Sequence, residues 1–279
     1  MTASTPPLVL VTGATDGIGR ETALTLARRG ARVLLHGRSG DRLARVHAEL
    51  AAVAGGPHPE PARADLASLA DVRALAADLD ARGLRPTVLV NNAGVFMNER
   101  VLTRDGFEMT AAVNHLAPFL LTHLLLATPG AALARIVNVS SVAHGRGRVD
   151  DPDDPGLVAR PFDGYGHYAA SKLANVLFTV ALAPRVADRG VTVNALHPGV
   201  VSTKLLLEGF NMRGGDSLAE GAATSVTLAL APDLADVTGR YFSGGQLART
   251  NRAADDDALV ERFYLASAKA VGVEPLPKP

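Results

Sequence analysis

An apolar run, Leu8–Thr12, breaks at Gly13, and the segment Thr12-Gly13-Ala14-Thr15-Asp16-Gly17-Ile18-Gly19 leads straight into helical periodicity over Gly19–Arg29. A chain that turns from strand to helix in so few residues has little choice of conformation. Gly13 permits the tight turn, Gly17 lets backbone approach a bound anion, and Gly19 lets helix and strand pack closely. The helix N-terminus behind the turn offers free N–H groups and the positive end of its dipole, which suits a pyrophosphate. Thr15, Asp16 and Ile18 lie between these glycines and belong to the same predicted contact surface. Such a turn alone is also ordinary helix-start chemistry. Its place directly after an N-terminal strand is what favours nucleotide binding.

The same rhythm continues along the chain. Ala31–His36, a weak run near Ala62–Ala64, Thr87–Asn91, Arg135–Ser140 and Val191–His197 read as strands. Helical patterns over Arg42–Ala54, ended by Gly55-Gly56-Pro57, and over Ser68–Arg82 separate the first of them. Strands alternating with helices predict βαβ units and a mostly parallel α/β sheet with helices on both faces. No repeat or linker divides the 279 residues, so a single domain over 1–279 is expected, with a cofactor half over about 1–140 and a catalytic half over about 141–279. One segment departs from the rhythm. Ala143–Gly164 is rich in Gly, Pro, Asp and Arg, a length that suits either a functional loop or a solvated excursion.

Composition removes several functions. Lys plus Arg equals Asp plus Glu at 28 each, so no global field draws the chain to nucleic acid or an anionic membrane. Cysteine is absent, which excludes disulfides, zinc thiolates and thiol nucleophiles. The histidines are scattered, His36, His115, His123 and His197 standing on separate elements as structural or surface residues, and no metal site is expected. Met1–Pro7 is short and polar rather than a signal peptide, and Leu116–Ala127 reads as a buried helix. A soluble, cytoplasmic protein is the expectation, with a homo-oligomer left open.

Four further motifs follow the glycine turn in order: Asp65-Leu66, Asn91-Asn92-Ala93-Gly94, Tyr168-Ala169-Ala170-Ser171-Lys172 and His197-Pro198-Gly199. Together they cover nearly the whole chain, and the set resembles the short-chain dehydrogenase/reductase family. The resemblance implies a seven-stranded, doubly wound Rossmann fold and a nicotinamide cofactor. It implies that the Asp65 carboxylate and the Leu66 amide meet the adenine, and that the turn bearing Asn92, Ala93 and Gly94 closes over the adenine ribose. By residue type alone, Asn-Asn-Ala-Gly is simply a good turn and Asp65 a plausible helix cap. Pro198, Gly199, Val201 and Thr203 resemble the family segment that meets the nicotinamide.

Tyr168 and Lys172 stand four apart and share one face of a helix. A free phenol has a pKa of about 10, and a nearby ammonium lowers it toward use as a general acid/base. Tyr165 competes but lies seven residues from Lys172. In the family, the second of two serines ending a strand holds the substrate oxygen, which selects Ser141 over Ser140. The resemblance also makes Asn114 the helix-kinking asparagine that relays protons to the lysine, although a satisfied structural asparagine would look the same. The implied reaction interconverts a carbonyl and an alcohol, with Lys172 also holding the nicotinamide ribose. A regulatory nucleotide binder and a sugar-nucleotide epimerase are the rivals, and the intact Asn/Ser/Tyr/Lys set disfavours the first.

The long excursion, the run Ser171-Lys172-Leu173-Ala174-Asn175 and Gly239-Arg240-Tyr241-Phe242 resemble the retinol-dehydrogenase-like branch, here without an N-terminal anchor. Leu205–Leu207 and Phe210 suggest an apolar lid and a bulky apolar ketone or alcohol, steroid-like or polycyclic. NAD enzymes of this fold carry an acidic residue at the end of the second strand. Gly37 stands there instead, followed by Arg38, whose guanidinium suits a 2′-phosphate. NADP(H) is therefore expected ahead of NAD(H), with His36 or Ser39 adding a hydrogen bond and Asp41 able to pair with Arg38.

Overall fold

The computed structural model describes residues 6–53 and 58–278, so the helix-ending Gly55-Gly56-Pro57 lies outside the described residues. The first half of the chain forms β1 (Leu8–Val11), α1 (Gly17–Arg28), β2 (Arg32–Gly37), α2 (Gly40–Val53), β3 (Ala62–Arg63), α3 (Leu69–Ala81) and β4 (Val88–Asn91). A short α4 (Met109–Ala111) passes through a π-turn, Ala112–Leu116, into α5 (Ala117–Ala127). The second half supplies β5 (Arg135–Val139), α6 (Gly164–Arg185), β6 (Thr192–His197), α7 (Leu218–Leu230), β7 (Arg240–Ser243), β8 (Gln246–Leu247) and α8 (Asp257–Val271).

These strands form one sheet in the order β3-β2-β1-β4-β5-β6-β7-β8. All neighbours are parallel except β8, which pairs antiparallel with β7. The expected doubly wound class is therefore correct, but seven strands become eight. Gly244 and Gly245, both at positive φ (57° and 75°), turn the chain back on itself and add the two-residue strand.

Period-two alternation divides the core. Leu8 and Leu10 face one side with Leu34, Leu89 and Ile136, against α3, α5, α6 and α8. Val9 and Val11 face the other with Leu35, Val90 and Val137, against α1, α2 and α7. Strands buried on both faces must be apolar throughout, which is why β1 reads Leu-Val-Leu-Val without a polar position. The continuous helical segment Met109–Ala127 is long and apolar enough to cross a bilayer, yet 89% of its most apolar window is buried within the fold.

The strand order reverses beside β1, where β2 leaves on one side and β4 on the other. The crevice at the carboxyl ends of these strands is where open α/β sheets bind ligands. The glycine turn, the Asn91–Gly94 turn and the segment after His197 lie there, whereas Gly239-Arg240 opens β7 at the opposite end of the sheet. The long excursion begins as a short 3-10 turn, Val142–Arg146, and packs on the outer face of α6. Gly147 meets Ala169 and Leu173 so closely that a Cβ would lie 2.4 Å from the Ala169 carbonyl oxygen. Asp150 pairs with Arg148 and Arg160, both at 3.3 Å, and Asp153 pairs with Arg262 of α8. The segment is thus tied to both neighbouring helices.

Candidate active site

The glycine turn is held from below and behind. Gly13 sits at φ 64° and Gly17 at φ 53°, conformations that exclude most side chains. Gly19 is closer still: a Cβ there would lie 2.3 Å from both the Gly13 carbonyl oxygen and Asn92 Nδ2. The helix α1 begins two residues earlier than its periodicity suggests, because Asp16 caps it by accepting from the Gly17 amide at 2.8 Å. Asp16 also draws in Lys204 Nζ at 3.6 Å and Arg42 at 3.9 Å. Lys204 thereby links the segment after β6 to the turn, as does Thr203, whose methyl would stand 3.2 Å from a Cβ on Gly17. Val201 and Ile18 meet beneath Gly221 of α7, and Pro198 and Gly199 (φ 95°) turn the chain toward them. This close, side-chain-free cradle fits a dinucleotide pyrophosphate.

The Asn91–Gly94 turn docks onto the glycine turn. Thr12 Oγ1 accepts from the Asn92 and Ala93 amides at 3.0 and 3.1 Å, and Asn92 Nδ2 donates to the Thr12 carbonyl at 2.8 Å. Ala93 packs so closely on Gly13 that a Cβ there would lie 2.9 Å from its Cα. Asn91 is buried and donates to Asn138 at 2.9 Å, a structural bond across β4 and β5. Asp65 does not cap α3, since Ser68 does; its Oδ1 accepts from the Ala67 amide at 3.0 Å. The Leu66 side chain is core.

At the end of β2 the structure alters two expectations. His36 is buried, with Nδ1 accepting from the Gly13 amide at 3.4 Å, so it supports the turn from below and is not aimed at a ribose phosphate. Burial lowers its pKa to about 4. The space beside Gly37 is filled by Thr15, whose methyl would stand 2.5 Å from a Cβ at that position. A carboxylate there must first displace Thr15. Arg38 is exposed, and no ion pair joins it to Asp41 among the described residues. Arg63 was not anticipated. It stands opposite Gly37 in the β2–β3 register and donates from Nε to the Arg38 carbonyl at 2.9 Å. Sequence spacing could not find it, because the register of a two-residue strand is set only by pairing.

The catalytic candidates gather at the carboxyl end of β5. Asp163 caps α6, its Oδ2 accepting from Gly166 at 3.0 Å, and fixes the phase of a helix that turns Tyr168 and Lys172 inward. Lys172 Nζ donates to the Val139 carbonyl at 2.9 Å and lies 5.7 Å from the Tyr168 ring centre. Ser141 begins the turn after β5, its Oγ accepting from the Ala143 amide at 3.2 Å, and it stands close enough to the Tyr168 phenol to favour the phenolate. Ser140 instead donates to the Lys172 carbonyl at 2.7 Å, a buried structural bond. Asn114 sits in the π-turn between α4 and α5, fully buried. It accepts from the Val95 amide at 2.7 Å and donates to the Val95 carbonyl and to Ser171 Oγ. Asn114 Oδ1 and Lys172 Nζ each approach Gly94 to 3.3 Å of where a Cβ would stand, so a side chain there would crowd both.

Charge behaves differently from the sequence expectation. Burial pushes the Tyr168 phenol up to about 12, outweighing the neighbouring Ser141 hydroxyl, which favours the phenolate. Burial also lowers Lys172 to about 8. The ammonium near the phenol does not offset the loss of solvent. His115, His123 and His197 are all buried rather than at the surface. Tyr165 is exposed by 38%, far more than Tyr168 at 7%.

A small apolar cluster closes the site: Ala143, Tyr168 and Ala169, packed with Phe96, Leu205 and Phe210. Phe96 follows the Asn91–Gly94 turn and carries no motif, so only the tertiary structure brings it here. Among the described residues no group of three or more His, Cys, Asp or Glu gathers in a metal-holding arrangement.

Residues 7–152 and 155–213 match the family model for short chain dehydrogenases. The chain is a short-chain dehydrogenase/reductase. Human retinol dehydrogenase 13 is 40% identical over 281 residues, spanning 95% of this chain and 85% of its own length. A candidate daunorubicin ketoreductase of Streptomyces sp. (strain C5) is 41% identical, spanning 95% and 92%. Among solved structures, an uncharacterised protein from Mycobacterium paratuberculosis superposes with a TM-score of 0.79 at 30% identity, covering 98% and 97% of the two chains. An actinorhodin polyketide ketoreductase solved with NADPH gives 0.67 at 27%, covering 87% and 97%. This short-chain dehydrogenase/reductase is an oxidoreductase of the retinol-dehydrogenase-like branch, and its cofactor is NAD(P)(H).

Proposed function

We propose that the protein reduces a bulky apolar ketone or aldehyde with NADP(H), using Tyr168 as the proton donor. The observation that carries this reading is the Tyr168 phenol, buried beside Ser141 in a corner lined by apolar side chains. The reduced cofactor, when bound, supplies a hydride and its electron pair to the carbonyl carbon. As the C=O π bond breaks, the oxygen takes the phenolic proton from Tyr168, and Ser141 donates a hydrogen bond that fixes and polarises it. A phenol raised to about 12 stays protonated at neutral pH and so holds the proton that reduction requires.

Lys172, lowered to about 8, remains mostly an ammonium near neutral pH. It holds the nicotinamide ribose and returns charge to the phenolate as it forms. Asn114 orders the path by which protons reach Lys172 from solvent. Gly13, Thr15, Asp16, Gly17, Ile18 and Gly19 cradle the pyrophosphate, with Asp65, Leu66, Asn92, Ala93 and Gly94 at the adenosine and Pro198, Gly199, Val201 and Thr203 at the nicotinamide. Arg38 and Arg63 support the 2′-phosphate reading, because two arginines adjoin a position without a carboxylate, one next in sequence and one across the sheet. Tyr168→Phe tests the assignment. Ketone reduction should fall by about 10²–10⁴ while NADPH still binds, and Tyr165→Phe should stay within a few-fold of wild type. Near-wild-type kcat in Tyr168→Phe would remove Tyr168 from the mechanism.

A further inference from the structure

We propose that the natural substrate carries an aromatic ring close to its carbonyl, and that Phe96 grips this ring in the place Phe210 now takes beside Tyr168. The inference rests on Tyr168 as the proton donor, since it concerns what must lie against that phenol. Aromatic residues are scarce in this chain: eight Phe, four Tyr and no Trp. Yet Phe96, Tyr165, Tyr168 and Phe210 stand in contact at this one corner.

Their geometry is that of mutually satisfied rings. Phe210 meets Tyr168 edge-on at 5.1 Å and 81°, and lies 4.2 Å from Phe96 at 43°. Phe96 in turn lies 5.7 Å from Tyr168 at 56°, and Tyr165 closes the outer side at 6.1 Å from Phe210. The segment that delivers Phe210 is seated by glycine. A Cβ on Gly209 would stand 2.9 Å from the Phe96 ring, so the backbone lies flush on that ring. Asn98 adds a hydrogen bond to the Glu208 carbonyl at 3.4 Å, and Met212 donates from its amide to the Leu206 carbonyl at 3.1 Å.

A carbonyl within reach of both the Tyr168 phenol and the Ser141 hydroxyl must carry its skeleton into the space these rings occupy. Phe210 therefore has to withdraw when substrate enters, and Tyr168 and Phe96 lose a ring partner. An aromatic ring on the substrate restores both contacts, edge to the phenol and tilted face to Phe96. A saturated ring of the same size restores only the buried area. Aromatic pairs gain stability beyond area burial, enough to give about threefold to tenfold in selectivity for each pair.

The test uses β-tetralone and saturated trans-β-decalone, which share a bicyclic skeleton and an unconjugated ketone, as substrates for the intact protein with NADPH and NADH. The wild type should favour β-tetralone in kcat/KM by about fivefold or more. Phe96→Leu should cut the ratio by about threefold or more, and Phe96→Tyr should keep it. Equal efficiency on both ketones in the wild type, or a ratio that survives Phe96→Leu unchanged, would overturn the aromatic grip and leave ketone reduction standing. Absence of hydride transfer to either ketone with either cofactor would overturn both.

Discussion

At the scale of single residues, the proposed preference for NADP(H) rests on two arginines in different positions. Arg38 is the charged neighbour of Gly37 in sequence, and Arg63 is its neighbour across the sheet. Arg63 is anchored through Nε to the Arg38 carbonyl, which leaves its terminal nitrogens for an anion. Arg38→Ala and Arg63→Ala should each weaken NADPH about tenfold, roughly 1.4 kcal/mol, while NADH changes less than twofold. Binding titrations with both cofactors measure this, and equal losses for NADH and NADPH would remove the arginine concerned from 2′-phosphate recognition. Gly37→Asp is a poorer probe than its position in the sequence suggests, because the new Cβ meets the Thr15 methyl before any charge can act.

At the scale of elements, the site depends on how closely α1 approaches β1 and β4. Gly19 sets that distance, with the Gly13 carbonyl and the Asn92 amide filling the space a methyl would need. The Gly13 carbonyl is backbone and cannot rotate aside. Gly19→Ala should push α1 outward, weaken cofactor binding at least tenfold and cost about 1–3 kcal/mol of stability. Fluorescence titration with NADPH and urea unfolding check the two parts. Tight NADPH binding in the variant would show that the cradle tolerates a wider turn. This glycine was legible in the sequence as a packing residue, since its spacing from Gly13 is local. The start of α1 was less so, because Asp16 capping moved it to Gly17.

At the scale of the whole molecule, burial governs the titration of the histidines. His36 and His123 are lowered to about 4 and His115 to about 3, each chiefly by burial. His115 bonds Ser267 of α8 at 2.9 Å, and His123 bridges the Phe119 carbonyl and the Tyr264 hydroxyl, both at 2.8 Å. These rings are neutral in the fold, but take up protons near pH 6.5 once the chain unfolds. Their contribution is complete above pH 6.5 and is lost as pH falls toward 4, and toward 3 for His115. Each fully titrating ring removes up to about 1.4 kcal/mol per pH unit in that window. Urea midpoints should therefore drop steeply between pH 7 and pH 5. A flat profile would mean that these histidines are as easily protonated in the fold as in the open chain.

The sequence alone determined the alternating α/β order, the cradle glycines and the helical spacing of Tyr168 and Lys172. All of these are local: a turn, a period or a cap is decided by residues a few positions apart. Resemblance carried Ser141 and Asn114 to the site region, and the fold then showed Asn114 held by Val95 and Ser171. The tertiary structure decided the rest. It set Arg63 opposite Gly37, sent His36 beneath the turn, gave Asn91 to Asn138 and brought Phe96 under Phe210. It also reversed the expected direction of the Tyr168 shift. Proximity to a lysine can be read from spacing, but desolvation depends on everything packed around the phenol, and at this site desolvation is the larger effect.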